Sequence, residues 1–134
     1  MEIPERVKKL IDGTRNIAFA TVDKEGMPNV VPMLQYWWLA EDTLVIADFL
    51  MKKSKENVLE TGKVCIAVWD DTGESYKLKG NAAYETSGPG YDLAKRKIQE
   101  KTPDRCPKGV VVIKFTEVYN TSRGPKAGEL IAKA

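Results

Sequence analysis

Lys52, Lys53, Ser54 and Lys55 are the residues whose types and spacing could do chemistry, because they gather three ammonium groups around the start of a helix. Ser54 reads as its N-cap, Val58 as part of its apolar face, and Gly62 as the left-handed residue that ends it. A helix N-terminus already carries about half a positive charge, so each nearby lysine costs a few tenths of a kcal/mol, up to roughly 1 kcal/mol. An anion removes that cost. Free backbone N–H groups, a hydroxyl and adjacent ammonium groups together suit a phosphate monoester. The competing reading is a solvated run of surface lysines.

Composition narrows the chemistry further. With no histidine in 134 residues, the usual general base, the commonest metal ligand and every Ser-His or Cys-His nucleophilic pair are missing. Hydrolase and zinc-site readings fall with them. Of the two cysteines, Cys65 lies in the apolar run Val64 to Trp69 and reads as a small core residue, whereas Cys106 stands in a polar segment, so no disulfide is expected. A net charge of +2 describes a nearly balanced surface rather than the basic field of a dedicated nucleic-acid binder. The length and the 43% hydrophobic content fit one globular domain over residues 1–134. Glu2, Pro4, Glu5 and Arg6 open the chain and no apolar run approaches membrane-spanning length. Neither signal peptide nor membrane anchor is expected, and a cytoplasmic location follows.

The elements that must position the lysines follow from the periodicity. Pro4, the apolar residues Ile3, Val7, Leu10 and Ile11, and Gly13 as a stop predict a short amphipathic helix. Ile17 to Val22 predicts a strand, Asp23 to Gly26 a hairpin turn, and Pro28 to Leu39 a long partner strand. Pro32 interrupts that strand and reads as a bulge beside a ligand, since proline cannot donate to a ladder. Thr43 to Asp48 predicts a third strand leading into the lysine-rich helix. Val64 to Trp69 reads as a central strand buried on both sides. Ser75 to Thr86 predicts a long strand with a bend or close approach at Gly80, Tyr91 to Lys101 a second amphipathic helix, and Gly109 to Tyr119 the sixth strand. Residues from Thr121 onward read as a tail. The expectation is a mainly β chain, a six-stranded antiparallel barrel with short peripheral helices. A Rossmann fold is excluded, because Gly88 Pro89 Gly90 lacks the dinucleotide fingerprint and the helices do not alternate with the strands.

That order of elements resembles the FMN-binding split-barrel superfamily, the pyridoxamine 5′-phosphate oxidase-like proteins, and especially its small stand-alone FMN-binding members. The resemblance covers roughly Ile17 to Tyr119. It is carried by Gly26 Met27 Pro28 Asn29 Val30 Val31 Pro32 Met33, by Met51 Lys52 Lys53 Ser54 Lys55 Glu56 Asn57 Val58, and by Lys79 Gly80 Asn81 Ala82 Ala83 Tyr84 followed by Gly88 Pro89. It implies that Lys53 and Ser54 meet the FMN phosphate with Lys52 as a second cation, within a segment that Met51 opens. It further implies that Pro32, Met33, Ala47 and Asp48 line the flavin. For Asp48 the alternative is a strand-end residue that caps the loop. The substrate-binding histidine and arginine pattern of true pyridoxamine phosphate oxidases is absent. Members of such barrels pair as homodimers with FMN at the interface.

An FMN-dependent redox protein, either an electron-transfer flavoprotein or a flavin reductase-like oxidoreductase, is therefore the expected function, with no catalytic acid or base required. A split barrel using a deazaflavin or haem is one alternative. Another is a small barrel holding single-stranded nucleic acid on Tyr36, Trp37 and Trp38, which successive strand positions disfavour because Trp37 and Trp38 face opposite sides.

Overall fold

Asp23 makes the first hairpin. Its Oδ1 accepts from the amides of Glu25 and Met27, both at 2.9 Å, and Gly26 takes a φ of 86° that closes the turn. In the computed structural model, which describes residues 1–134, the hairpin joins β1 (Ile17–Val22) to β2 (Pro28–Pro32). The order then runs β3 (Tyr36–Ala40), β4 (Thr43–Asp48), α2 (Lys53–Glu60), β5 (Lys63–Trp69), β6 (Ser75–Glu85), α3 (Pro89–Gln99), β7 (Gly109–Asn120) and β8 (Leu130–Lys133), with α1 (Glu5–Gly13) before β1.

Every strand pairing is antiparallel, and the sheet runs β2-β1-β5-β6-β7-β4-β3 with β8 added to β7. The two edges of this path, β2 and β3, are joined by only Met33, Leu34 and Gln35. Such a connector spans at most about 14 Å between its flanking residues. The sheet is thereby forced to curl on itself, and the barrel is split where β2 and β3 meet without pairing. Met33 N–H donates to Ile17 O and Ala47 N–H to Gln35 O, both at 3.0 Å, so the connector is held to β1 at one end and to β4 at the other.

Alternation fills the interior. Phe19, Leu44, Ile46, Ile66, Leu78, Ile113, Phe115 and Val118 point inward and are buried, and Val7, Leu10 and Ile11 of α1 join the same cluster. Trp38 packs edge-on to Phe115 at 6.0 Å, and its Nε1 donates to Asp12 at 3.0 Å. Its neighbour Trp37 packs on the opposite face, with Val45, Val110 and Ala94 of α3. The two indoles thus offer no common stacking surface.

Four expectations change. The six strands become eight: the stretch Pro28 to Leu39 divides into β2 and β3 at the barrel seam, and the tail supplies β8, which pairs Ala132 with Val118 and Lys133 with Glu117. Pro32 is accordingly no bulge but the last residue of an edge strand, where its missing N–H costs no ladder bond. The strand covered on both faces is β4, under α3, and not β5, whose Val64, Ile66 and Val68 point in while Trp69 is 41% exposed. Cys65 shares the outward face of β5 and is only partly buried. The close approach at Gly80 is present: the β6–β7 register shifts there, and a Cβ would collide with the Lys114 carbonyl.

Candidate functional site

The seam of the barrel is also its main apolar cleft. A cavity of about 550 Å³ opens there, bounded by Val31 and Pro32 of β2, Ile46 and Ala47 of β4, the loop Phe49 to Lys52 and the first turn of α2. Leu34 and Gln35 of the connector and Arg105 of the α3–β7 loop complete the wall. The volume lies within the roughly 300–1,000 Å³ of small-molecule sites. Lys52, Lys53 and Arg105 line it and no carboxylate does.

Helix α2 starts two residues earlier than the sequence suggests. Lys52 occupies the N-cap without a side-chain bond, and Ser54 lies inside the first turn, 3% exposed. Ser54 is therefore no N-cap. The reason lies in the preceding loop, where Asp48 Oδ1 accepts from the Met51 amide at 2.8 Å and fixes the chain before the helix begins. The Lys52 carbonyl accepts the first helical bond, from Glu56 N–H at 3.0 Å. The amides of Lys53, Ser54 and Lys55 have no acceptor in the protein. Ser54 Oγ accepts from Asn29 Nδ2 at 3.3 Å, which leaves its own hydrogen free to donate.

The three lysines separate in space. Lys52 makes no ion pair and faces the cleft. Lys53, 50% exposed, stands 3.9 Å from Asp23 and 3.7 Å from Glu56. Lys55 turns away and lies over the Tyr84 ring at 4.5 Å. Arg105 stacks its guanidinium carbon 3.7 Å from the centre of Phe49 and has no acidic partner.

Pro32, Ala47, Met51, Lys52, Lys53 and Ser54 are thus gathered around one cleft, whereas Met33 and Asp48 are not part of its wall. Met33 points into the barrel core and is buried. Asp48, 1% exposed, accepts from the Tyr84 hydroxyl at 2.5 Å as well as from Met51, which is the loop-capping geometry. Burial, then the Asp48 carboxylate, pushes the Tyr84 hydroxyl well above its ordinary value. Asn29 and Val31 stood in the β2 motif without a site role, and Gln35, Phe49, Leu50 and Arg105 were not singled out in the sequence. Alternation along β2 signals Asn29 and Val31 once Pro32 is placed, but nothing local marks Arg105.

The cleft offers amide and ammonium donors at one end and apolar side chains along the rest. It holds no nucleophile beside a base and no cluster of metal-ligating groups. Its chemistry is binding: an anion at the helix terminus, attached to a group with a broad apolar surface.

Comparison with known proteins bears on this. The family described as pyridoxamine 5′-phosphate oxidase matches residues 3–122. The protein named Uncharacterized protein MJ0282 of Methanocaldococcus jannaschii is 42% identical over 119 residues, covering 87% of this chain and 80% of that protein. Among solved structures, tagged HupZ of Group A Streptococcus superposes with a TM-score of 0.81 at 28% identity, over 94% of this chain and 99% of HupZ. An FMN-binding protein from Syntrophomonas wolfei subsp. wolfei superposes at 0.76 with 22% identity, over 90% and 86%, a likeness of fold.

Proposed function

The chain belongs to the pyridoxamine 5′-phosphate oxidase-like family of FMN-binding split barrels, and we propose that it is an FMN-dependent redox protein working as a homodimer. The observation that carries this is the cleft itself: three unpartnered amides of α2, the Ser54 hydroxyl and the side chains of Lys52 and Lys53 converge where an apolar wall begins, with no acid in the lining. These groups suit a phosphate monoester. Val31, Pro32, Ala47, Phe49 and Met51 suit a flat ring system and exclude water from it. FMN supplies hydride and single-electron chemistry when bound, and the protein binds, orients and shields it. The absence of histidine then costs nothing, and it is also why the activity in the family's name is not carried over.

The dimer is supported by what borders the cleft. Leu34 and Leu50 are 83% and 87% exposed there, an apolar rim that a second copy would cover while closing the open side of the site.

The test compares FMN with riboflavin on the apoprotein. Two charge-assisted contacts at roughly 1.5 kcal/mol or more each give FMN about a hundredfold advantage or better. Equal affinity for riboflavin would remove the phosphate role of the helix terminus. The absorbance spectrum of the protein as purified checks the cofactor separately, since a haem or deazaflavin spectrum would replace FMN in the same cleft.

A further inference from the structure

Tyr84 stands on β6, two strands from the cleft, yet its hydroxyl reaches Asp48 on β4. It crosses β7 at Gly109, the residue paired with Asp48, and a Cβ at that position would overlap the phenol. Gly109 is thus a bare position on β7 over which one side chain passes. Both ends of the resulting chain of contacts lie on the anion cradle. From Asp48 the chain continues to the Met51 amide at 2.8 Å, one residue before the α2 N-cap. From the ring it continues to the ammonium of Lys55, in the first turn of α2, at 4.5 Å. A third tie, from Lys108 N–H to Asp48 O at 2.9 Å, fixes the strand end itself.

We propose that Tyr84 is the positioning residue of the phosphate cradle, acting through Asp48 on the Met51 amide and through its ring on Lys55, so that loop and helix turn present their donors in one fixed arrangement. This rests on the phosphate reading given above. Neither Tyr84 nor Asp48 lines the cleft, so their effect is on geometry and not on contact. A loop held by a buried carboxylate is sharply placed, and positional precision is what a multi-donor anion site depends on. The ring-binding wall shares Phe49 and Met51 with this loop, but Val31 and Pro32 of β2 and Ile46 and Ala47 of β4 lie outside this chain of contacts, so the ring depends on it less than the phosphate does.

The experiment measures FMN and riboflavin affinities side by side, together with amide exchange in the absence of ligand. In Tyr84→Phe the ring stays over Lys55 but Asp48 loses a donor. FMN affinity is expected to fall about tenfold and riboflavin affinity by no more than about twofold, and the Met51 amide to exchange faster while Ile113 in β7 does not. Asp48→Asn can still accept from Met51 and donate to the tyrosine oxygen, so it is expected to keep the FMN preference within about twofold, where Asp48→Ala loses it. Equal loss for both ligands in Tyr84→Phe, an unchanged preference, or Asp48→Asn behaving like Asp48→Ala would each overturn the positioning role. If wild-type protein itself binds both ligands equally, the phosphate reading fails and this proposal with it. Wild-type preference with an unaffected Tyr84→Phe sinks the role of Tyr84 alone.

Discussion

Replacing Asp23 by asparagine is expected to strengthen cofactor binding, an outcome that a mere surface run of lysines would not give. Lys53 faces two acids, Asp23 at 3.9 Å and Glu56 at 3.7 Å, whereas Lys52 has none. A phosphate must compete with those acids for Lys53. Half-exposed pairs of this length are worth ~0–1 kcal/mol, and a charge-assisted bond to phosphate roughly 1.5–3 kcal/mol. Phosphate wins, leaving a net of about 1–2 kcal/mol from Lys53, which is roughly five- to thirtyfold in Kd. Lys53→Ala should weaken FMN by that factor. Lys52→Ala surrenders no competing pair and should cost more, about tenfold to 150-fold. Asp23→Asn frees Lys53 while its Oδ1 still accepts from Glu25 and Met27, so FMN should tighten by up to about fivefold with the hairpin intact. Titration by quenching of flavin fluorescence, at low and at physiological salt, gives all three numbers, and the differences should shrink as salt rises. A weaker Kd in Asp23→Asn, or none of the expected loss in Lys52→Ala, would place the anion somewhere other than this helix terminus.

Three further outcomes follow from particular residues. Gly80→Ala drives a methyl into the Lys114 carbonyl at the β6 bulge and should destabilise the fold by about 3 kcal/mol in urea titration; a change under about 0.5 kcal/mol would mean the bulge relaxes freely. Sedimentation of the FMN-loaded protein should give twice the chain mass of 15.0 kDa, and charged substitutions at Leu34 and Leu50 should halve it, whereas a 15.0 kDa species carrying FMN sinks the dimer. The ammonium group of Met1, hydrogen-bonded at 2.8 Å, holds Asp42 below the ordinary 3.8. A depressed folded value means stability that is present above pH 3.8 and lost as pH falls through the folded value, so the urea midpoint should drop below about pH 4 and drop less in Asp42→Asn.

How far the sequence could be read depended on whether the deciding contact was local. The Asp23–Gly26 turn, α1 with Val7, Leu10 and Ile11 inward, the helix end at Gly62 with φ 65° and the close approach at Gly80 were all legible, because turn chemistry and periodicity act within a few residues. The division at Met33 to Gln35 was not, since three residues in an apolar run look like more strand. Only the meeting of two sheet edges makes Leu34 an exposed corner. Strand β8 hid for a related reason: four residues of weak alternation pair only because β7 is already in place beside them. At the cleft, the residues gathered from β2, β4 and α2 include six that the motifs pointed to. Arg105 escaped because its one marker is a stack on Phe49, far away in sequence. Asp48 was visible as a strand-end polar residue, but its burial and its tie to Tyr84 depend on a missing side chain at Gly109, which no pattern around Asp48 announces.

That bare position at Gly109 also sets a schedule for the growing polypeptide. A ribosome delivers Met51 to Ser54 well before it delivers β7, and until residue 109 has emerged Asp48 has neither its sheet partner nor the route by which Tyr84 reaches it. Domains synthesised from the N-terminus must wait for such long-range pairings, which are the slow ones. On the flavin reading proposed above, the nascent chain carries every donor of the cradle while lacking the frame that aims them, and cofactor capture would belong to the released or nearly finished protein. Chains cut short before β7 should then emerge colourless even where the Lys52 to Lys55 segment is complete.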